Sequence, residues 1–464
     1  MLNKIKTIID TRFMPRKKNG NSASGPCNLP AAKYGITAKK ISNGAKTVVS
    51  ALTDAGYEAY VVGGCVRDIL LDLHPKDFDV ATNATPEQVK AIFNRSRIVG
   101  RRFQIVHVRM GREVIEVTTF RAHHQQTETG RVDQRETSRR SDKGLLLRDN
   151  IFGTIDQDAC RRDFTMNALY YHPQDNKLYD YANGVTDIEN RTIRIIGDAS
   201  LRYREDPVRM LRAVRFAAKL GFDIEPETAK PIQKLGKLLA EIPPARLFDE
   251  SLKLFMNGQA LATFGLLREY DLFSKLFPET DNVLKNEQEP WMLPFLELAL
   301  TNTDKRIRAD KGVTPAFLYA ALLWPAQKSL YDHYCNQGEP PLYAMQRAAA
   351  ETVHRQCQHI AIPKRFSIPM REIWEMQLRL PKRRGKQAQR LMEHKRFRAG
   401  YDFLLLREDV AETKPGLGDW WTKYQDVDEN HRAEMVNALA NRTKPRARRS
   451  GSRKRSSQPP PSES

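Results

Sequence analysis

The sequence predicts an α+β protein, in which a small mixed head with a mainly antiparallel sheet is followed by all-helical domains. Two observations lead to this fold class. Short alternating apolar segments separated by turn residues recur between residues 57 and 120, a pattern that is typical of strands in a meander. After about residue 200 the apolar residues are spaced as on helices almost continuously to residue 440. Strands followed by a long run of helices favour the α+β class.

A chain of 464 residues is long enough for about three domains with their own cores. Five cysteines, odd in number and far apart, fit a reducing compartment, and we expect a cytoplasmic protein. We predict five segments. A basic mobile arm covers residues 1–40, a head 41–199 and a helical neck 200–261. A helical body with an internal basic patch at 361–400 covers 262–441, and a disordered basic tail covers 442–464.

The formal net charge of +20 is distributed unevenly along the chain. Basic side chains outnumber acidic ones nine to one in residues 1–40 and eight to one in residues 442–464. The patch at 361–400 has twelve basic and three acidic side chains. Concentrated positive charge suits a polyanion, and nucleic acid is the first candidate. The alternative is that these segments only keep the protein soluble.

The predicted elements of the head follow in order. Apolar spacing indicates a helix over 41–55 that Gly56 ends, then a strand over 57–62, a helix over 65–73 and a strand over 77–81. Thr85 with Pro86 begins the next helix at 86–93. Further strands are expected at 97–99, 103–110 and 113–120, a long polar loop at 122–143, and helices at 158–169 and 206–220.

The residues that point to chemistry begin between 63 and 79. Asp77 and Asp79 are two apart in a predicted strand, so both project from one face while Phe78 points into the core. Adjacent carboxylates repel unless a cation lies between them, and Mg²⁺ or Mn²⁺ prefers such oxygen ligands. Gly63-Gly64 joins a strand to a helix, where backbone N–H groups can bind a triphosphate. Together these features indicate phosphoryl or nucleotidyl transfer, although each alone is more typical of a turn or a solvated strand end.

A third carboxylate would complete such a site, and the sequence offers two. Glu116 lies on a predicted strand, on the face opposite to its apolar neighbours. Asp163 follows Arg161 and Arg162, which could hold phosphate or ribose, and on a helix it would share a face with Asn167. Either carboxylate could instead belong to a structural ion pair, so the choice stays open.

Basic side chains supply further candidates for binding. Asp206 and Pro207 are typical of a helix start, and Arg209 and Arg212 share one face of that helix, where guanidinium groups suit phosphate or a base edge. In the patch at 361–400 the interleaved aromatics Trp374, Phe397 and Tyr401 could stack on bases but are more typical of a core. The predicted RNA-binding residues of this patch are Lys382, Arg383, Arg384, Lys386, Lys395, Arg396 and Arg398.

Four ordered motifs resemble those of a known enzyme family. They are Gly63-Gly64-x-x-Arg67-Asp68, Asp77-Phe78-Asp79, Arg161-Arg162-Asp163-Phe164-x-x-Asn167 and Glu205-Asp206-x-x-Arg209. Together they are similar to the motifs of class II template-independent nucleotidyltransferases, a family that contains bacterial poly(A) polymerases and CCA-adding tRNA nucleotidyltransferases. The segments 98–108 (IVGRRFQIVHV) and 147–155 (LRDNIFGTI) and the basic C-terminal extension resemble the poly(A) polymerase branch.

The resemblance implies a polymerase-beta-like head and a two-metal polynucleotide adenylyltransferase. It would add AMP from ATP to RNA 3′ ends and release pyrophosphate, in RNA polyadenylation linked to mRNA processing and decay. Asp77 and Asp79 would hold Mg²⁺ or Mn²⁺, and Asp163 would be the third catalytic carboxylate, with Glu116 as the competing candidate. The residues expected to bind the triphosphate or the incoming ATP are Gly63, Gly64, Arg67, Arg162, Asp206, Arg209 and Arg212.

Two other functions remain as alternatives. One is CCA addition to tRNA, which uses the same motifs; the other is a non-catalytic RNA-binding protein, against which the intact carboxylates argue. The expected partners are RNA 3′ ends and ATP, and we expect a monomer. RNA-decay or helicase proteins could dock on the basic tails, and a membrane-surface role for these tails stays open.

Overall fold

A computed structural model describes most of the chain, in two compact units that comprise Met1–Glu205 and Asp206–Ser464. The described residues are 27–100, 104–122, 138–140, 146–149, 151–286 and 289–441. The predicted tail at 442–464 and residues 1–26 of the predicted arm therefore lie outside them. None of the described helices is both long and apolar enough to cross a membrane.

The first unit is built on a mixed sheet. The strands of this unit are β1 (Cys27–Pro30), β2 (Ala59–Val62), β3 (Asp79–Thr82), β4 (Ser96–Val99), β5 (Ile105–Met110), β6 (Glu113–Thr119), β7 (Ser138–Arg140), β8 (Leu146–Asp149), β9 (Leu169–His172), β10 (Lys177–Asp180) and the short β11 (Thr192–Ile193). Among the described residues, eight of them form one sheet in the order β1-β10-β9-β2-β3-β6-β5-β4, and β7 pairs with β8. Within the large sheet β3 and β6 run parallel, and the other neighbouring strands are antiparallel. The predicted mainly antiparallel sheet is confirmed.

Short helices cover this sheet. They are α1 (Asn43–Asp54), α2 (Gly64–Leu70), α3 (Pro86–Ile92), α4 (Ile155–Arg161), α5 (Gly184–Glu189) and α6 (Ala199–Glu205). Thr85 caps the start of α3 in a capping box that Gln88 completes, as the sequence pattern indicates. Val80 and Ala81 of β3 are both fully buried, so the strand that begins at Asp79 is covered on both faces. Close packing on both faces restricts the movement of β3 and therefore of Asp79, its first residue.

Three predictions for this unit were wrong in detail. Residues 27–40 are not part of a mobile arm, because β1 pairs with β10 and two 3₁₀ turns follow it. The expected loop at 122–143 contains β7. The expected helix at 158–169 breaks: α4 ends at Arg161, Arg162 is extended, and a 3₁₀ turn over Thr165–Asn167 leads into β9. All four residues of β9 are buried, and such a strand has no alternating pattern by which to distinguish it from a buried helix.

The described residues of the second unit are helical apart from the two-residue strand β12 (Asp223–Ile224), which confirms the predicted α+β class. Helix α7 begins at Val208, two residues after the expected start at 206, and Gly221 ends it in the left-handed conformation. The helices are α7 (Val208–Leu220), α8 (Pro226–Ala229), α9 (Ile232–Leu235), α10 (Pro244–Phe255), α11 (Ala260–Glu269), α12 (Phe273–Leu276), α13 (Pro278–Lys285), α14 (Met292–Arg308), α15 (Pro315–Leu322), α16 (Trp324–Asn336), α17 (Pro341–Cys357), α18 (Lys364–Arg379), α19 (Gln387–Met392), α20 (Phe397–Asp409), α21 (Leu417–Asp426) and α22 (Glu429–Asn441).

Helices α18 and α20 approach each other closely at Gly400. A β-carbon on Gly400 would lie 2.4 Å from Cγ and 2.8 Å from Cβ of Met376, which is fully buried. The carbonyl of Gly400 also accepts a hydrogen bond from Nε2 of Gln377 on α18, at 3.0 Å. The two helices are therefore fixed against each other by a contact that only glycine permits.

We expect Gly400→Ala to lower the free energy of unfolding by about 1–3 kcal/mol, because the added methyl group overpacks a rigid contact. The matched control is Gly265→Ala in α11, where an added β-carbon meets nothing within 4 Å. That change should raise the stability by about 0.4–1 kcal/mol through its effect on the unfolded chain. Urea unfolding followed by circular dichroism measures both; equal effects of the two changes would contradict the contact.

Candidate active site

The turn between β2 and α2 is held in a conformation that requires glycine. Gly63 has φ +82° and ψ −132°, and its N–H donates to the carbonyl of Leu169 at 3.1 Å. A β-carbon at Gly63 would lie 3.4 Å from Nη1 of Arg162. Gly64 begins α2 directly afterwards. The predicted strand–Gly-Gly–helix arrangement is therefore present, with a guanidinium group beside it.

Arg67 on α2 is buried and linked to protein groups. Its Nη1 donates to Oδ1 of Asn167 at 2.7 Å, and its Nε and Nη2 donate to Oδ1 of Asp68 at 2.9 and 2.5 Å. Oδ1 of Asp163 in turn accepts from Nδ2 of Asn167 at 3.1 Å and from the N–H of Phe164 at 2.8 Å. Asp163 and Asn167 are thus close together as expected, but a 3₁₀ turn brings them together instead of a helix. The hydrogen bond from Arg67 to Asn167 links α2 to that turn.

Two carboxylates lie side by side where β3 begins. Asp79 is half-buried and pairs in register with Glu116 of the parallel strand β6. Registered residues of neighbouring strands project to the same face about 5 Å apart. Asp77 is exposed and lies two residues before β3, with Phe78 buried between them, so the expected alternation is present although the strand begins later.

The charges of these groups are coupled. Burial, together with the neighbouring charge of Glu116, raises the pKa of Asp79 to about 6; Arg162 opposes this shift, and Asp77 adds to it. Oε1 of Glu116 also lies 3.5 Å from Nε2 of His107 on β5. Within the described ranges, no group of three or more His, Cys, Asp and Glu side chains is placed as a metal site.

Arg162 is held between a carboxylate and a phenol. Its Nε donates to the hydroxyl of Tyr170 at 2.9 Å and to Oδ2 of Asp158 at 3.2 Å, and its Nη2 donates to the same oxygen at 3.0 Å. The Tyr170 hydroxyl donates to Oδ2 of Asp158 at 2.7 Å. Burial lowers the pKa of Arg162, but Tyr170 and Asp158 raise it by more, so the guanidinium stays charged.

Sequence reasoning missed the residue that fixes the backbone here. Arg202 on α6 is 5% exposed, and its Nη2 donates to the carbonyls of Arg161 and Arg162 at 2.5 and 2.7 Å. Its Nη1 donates to Oε2 of Glu205 at 2.7 Å. The i, i+3 pair with Glu205 is visible in the sequence, but the contact with residues forty positions earlier is not.

The remaining nucleotide-binding candidates belong to the second unit. Asp206 precedes α7 and accepts at Oδ2 from Nη2 of Arg246, at 2.7 Å. Arg209 and Arg212 are half-buried and three residues apart on α7, and the Arg212 guanidinium lies 5.3 Å from the ring centroid of Phe216. The predicted shared face of the two arginines is therefore present.

The predicted RNA-binding patch separates into two kinds of residue. Lys395 and Arg396 both pair with Glu372, at 3.6 and 2.7 Å, and Arg398 pairs with Asp402 at 2.9 Å. In contrast, Lys382, Arg384 and Lys386 are exposed and Arg383 is half-buried in the loop between α18 and α19. The aromatic residues Trp374, Phe397 and Tyr401 are buried, as expected of core residues.

Comparisons with known proteins agree on one family. The chain matches the models described as "Poly A polymerase head domain" over residues 59–194, "Probable RNA and SrmB- binding site of polymerase A" over 221–284 and "Polymerase A arginine-rich C-terminus" over 337–455. It is 47% identical to poly(A) polymerase I of Salmonella typhimurium over 430 residues, which is 92% of each chain.

More distant relatives have a different name. The CCA-adding enzyme of Lactobacillus helveticus is 40% identical over 272 residues, which is 56% of this chain and 64% of that protein. A crystal structure of the Bacillus stearothermophilus CCA-adding enzyme in complex with CTP matches with a TM-score of 0.54 at 27% identity, over 82% of this chain and 80% of that chain.

We expect Asp158→Asn to lower the free energy of unfolding by about 1.5–3 kcal/mol, because the hydrogen bonds to charged Arg162 lose their anionic acceptor. Asp156→Asn is the matched control, since Asp156 is exposed on the same helix. It should change the stability by less than about 0.5 kcal/mol. Urea denaturation measures both; an Asp158→Asn variant as stable as its control would contradict the role assigned to the Asp158–Arg162 pair.

Proposed function

This chain belongs to the poly(A) polymerase I family, and we propose that it adds AMP from ATP to RNA 3′ ends without a template and releases pyrophosphate. The observation that carries the proposal is the pairing of Asp79 with Glu116 beside the Gly63-Gly64 turn. In this reaction the RNA 3′-hydroxyl loses its proton and its oxygen bonds to the α-phosphorus of ATP. The bond from that phosphorus to the oxygen that bridges it to the β-phosphorus breaks, and pyrophosphate leaves with that oxygen.

Asp77 and Asp79 would hold Mg²⁺ or Mn²⁺ together with phosphate oxygens of ATP, and Glu116 lies beside Asp79 as a further oxygen donor. Their oxygen donors suit a hard divalent cation. Burial, and after it the neighbouring charge of Glu116, raises the pKa of Asp79, and a bound cation would offset both effects. When bound, such ions supply charge stabilisation at the attacking and leaving oxygens. Strand pairing fixes the positions of Asp79 and Glu116, so both carboxylates are in place before the substrate binds.

We assign the third carboxylate to Glu116 and a positioning role to Asp163. Glu116 is the strongest charged neighbour of Asp79. Asp163 instead holds Asn167, which accepts from Arg67, so it orders the turn next to α2. The residues of the sequence left the choice between Glu116 and Asp163 open, and the family resemblance favoured Asp163; experiment separates the two assignments.

The triphosphate is assigned to Gly63, Gly64 and Arg162. The N–H of Gly64 and the guanidinium of Arg162 beside the turn are donors suited to phosphate oxygens, whereas the Gly63 N–H is bonded to the Leu169 carbonyl and Gly63 supplies the turn itself. Arg67 supports them indirectly through Asn167. In the second unit, Asp206, Arg209 and Arg212 are assigned to the incoming ATP, since the two arginines share one face of α7.

CCA addition is the second candidate, since a solved relative is a CCA-adding enzyme in complex with CTP. The extent of similarity favours poly(A) addition, because the match to poly(A) polymerase I spans 92% of the chain and the match to the CCA-adding relative 56%. For partners we propose RNA 3′ ends and ATP, with helicase or RNA-decay proteins as further ones. We propose a monomer that acts in the cytoplasm.

We expect Glu116→Gln to lower the rate of AMP transfer at least 100-fold, about the effect of losing a catalytic charge. Asp163→Asn should reduce the rate less, because it disturbs the neighbouring turn but leaves the carboxylate pair intact. Glu113→Gln, at the start of the same strand, is the control and should leave the rate unchanged. Primer extension with labelled ATP measures all three; a greater loss in Asp163→Asn would transfer the third position to Asp163.

Nucleotide choice separates the two candidate reactions. An oligo(A) primer offered with ATP should be extended into long tails, and CTP should be incorporated poorly. A CCA-adding enzyme would instead incorporate CTP into tRNA that lacks its terminal nucleotides and stop after completing the end. Gel analysis of products from single-nucleotide reactions decides this, and efficient incorporation of CTP with an early stop would overturn poly(A) addition.

A further inference from the structure

The loop between α18 and α19 lies against a column of stacked planar side chains. The guanidinium carbon of Arg383 lies 4.8 Å from the ring centroid of Trp420. The Trp420 ring stacks on Tyr424 with 4.8 Å between centroids and 15° between planes. The guanidinium of Arg432 lies 5.6 Å from the centroid of Tyr424. Arg383 and Trp420 are half-buried, so this column reaches the surface.

The column is held in place from within the unit. Trp421, which is fully buried, donates from Nε1 to the carbonyl of Leu380 at 3.2 Å and so fixes the residue at which the loop begins. Arg432 donates from Nε to the carbonyl of Tyr424 at 2.9 Å and from Nη2 to that of Gln425 at 3.1 Å. The planar surface is therefore formed before any ligand binds, which reduces the entropy lost on binding.

Three cations that lie next to Arg383 in the loop are not neutralised by carboxylates of the described residues. In the part of the chain that the structure describes, no ion pair involves Lys382, Arg384 or Lys386, and all three are exposed. Lys395, Arg396 and Arg398 differ in this respect, because each pairs with a carboxylate. Exposed cations next to a planar surface match a ligand that has both phosphates and aromatic rings.

We propose that Arg383, which lies over the Trp420 ring, is a stacking platform for an unpaired base of single-stranded RNA, while Lys382, Arg384 and Lys386 bind the flanking phosphates. Guanidinium planes and aromatic rings both stack on bases, and cations follow the backbone. An acidic protein segment would use the charges but not the plane. The choice of RNA as the ligand rests on the proposed function. The loop would then be a place outside the catalytic head where the RNA substrate is held.

The test uses Arg383→Lys in the full-length protein, because lysine keeps the charge and loses the plane. Fluorescence anisotropy compares a labelled oligo(A) with an abasic oligonucleotide of equal length. We expect the variant to bind oligo(A) about tenfold more weakly, which is the effect of losing one stacked base. Its affinity for the abasic strand should not change. Unaltered oligo(A) affinity, or an equal loss on both strands, would overturn the platform.

The phosphate contacts have their own readout. Replacing Lys382, Arg384 and Lys386 with glutamine should flatten the dependence of log affinity on log salt by about 0.7 per contact, on both strands. An unchanged slope would overturn this part of the proposal. Arg383→Lys should keep the wild-type slope, since its charge remains.

The control for the plane is Arg347→Lys on α17. The Arg347 guanidinium lies 4.1 Å from the ring centroid of Tyr334 and is paired with Glu339, so its charge is already engaged. This variant should bind both strands like the wild type. Binding is measured without ATP, so a wild-type protein that binds oligo(A) but transfers no AMP would overturn the proposed function and leave the platform standing.

Discussion

The first unit depends on one feature of strand pairing, the parallel register that sets Asp79 of β3 beside Glu116 of β6. Two neighbouring carboxylates repel, and the burial of Asp79 increases the cost, as its pKa of about 6 indicates. A fold retains such a pair only where positive charge offsets it. Arg162 supplies part of that charge, and the negative charge that remains favours a divalent cation. Burial and this excess of negative charge are the features on which the proposed cation site rests.

The surrounding contacts follow from the need to hold Arg162. A guanidinium in this position requires acceptors, which are Asp158 on α4 and the hydroxyl of Tyr170 on β9. The chain must leave the helical conformation after Arg161 to bring the two together, and Arg202 binds the carbonyls exposed at that break. The end of α4, the start of β9 and the position of α6 are thus linked through one side chain. These contacts explain why a long apolar pattern at 158–169 does not continue as a helix.

The sequence predicts the features that depend on near neighbours. The Gly63-Gly64 turn, the capped start of α3 and the alternation around Phe78 follow from residues within a few positions of one another. Features that depend on contacts between residues far apart in the chain could not be predicted from these local patterns. Whether Glu116 or Asp163 lies beside Asp79 depends on the register of two strands far apart in the chain. The stack of Arg383 on Trp420 joins residues separated by two helices, whereas the aromatics interleaved with the basic patch are core residues.

The charge that the second unit exposes is likewise not predictable from the sequence alone. Counting basic residues in 361–400 overstates the available surface, because Glu372 and Asp402 neutralise Lys395, Arg396 and Arg398. Among the cations that remain exposed, Lys382, Arg384 and Lys386 lie next to Arg383 in the same loop. A polymerase without a template must retain a product that advances by one nucleotide at each cycle. Stacking tolerates any base and re-forms after each step, since every base has a planar face, and phosphate contacts repeat at the same spacing. A stacking surface among cations is thus compatible with movement of the strand in a way that hydrogen bonds to specific base edges are not.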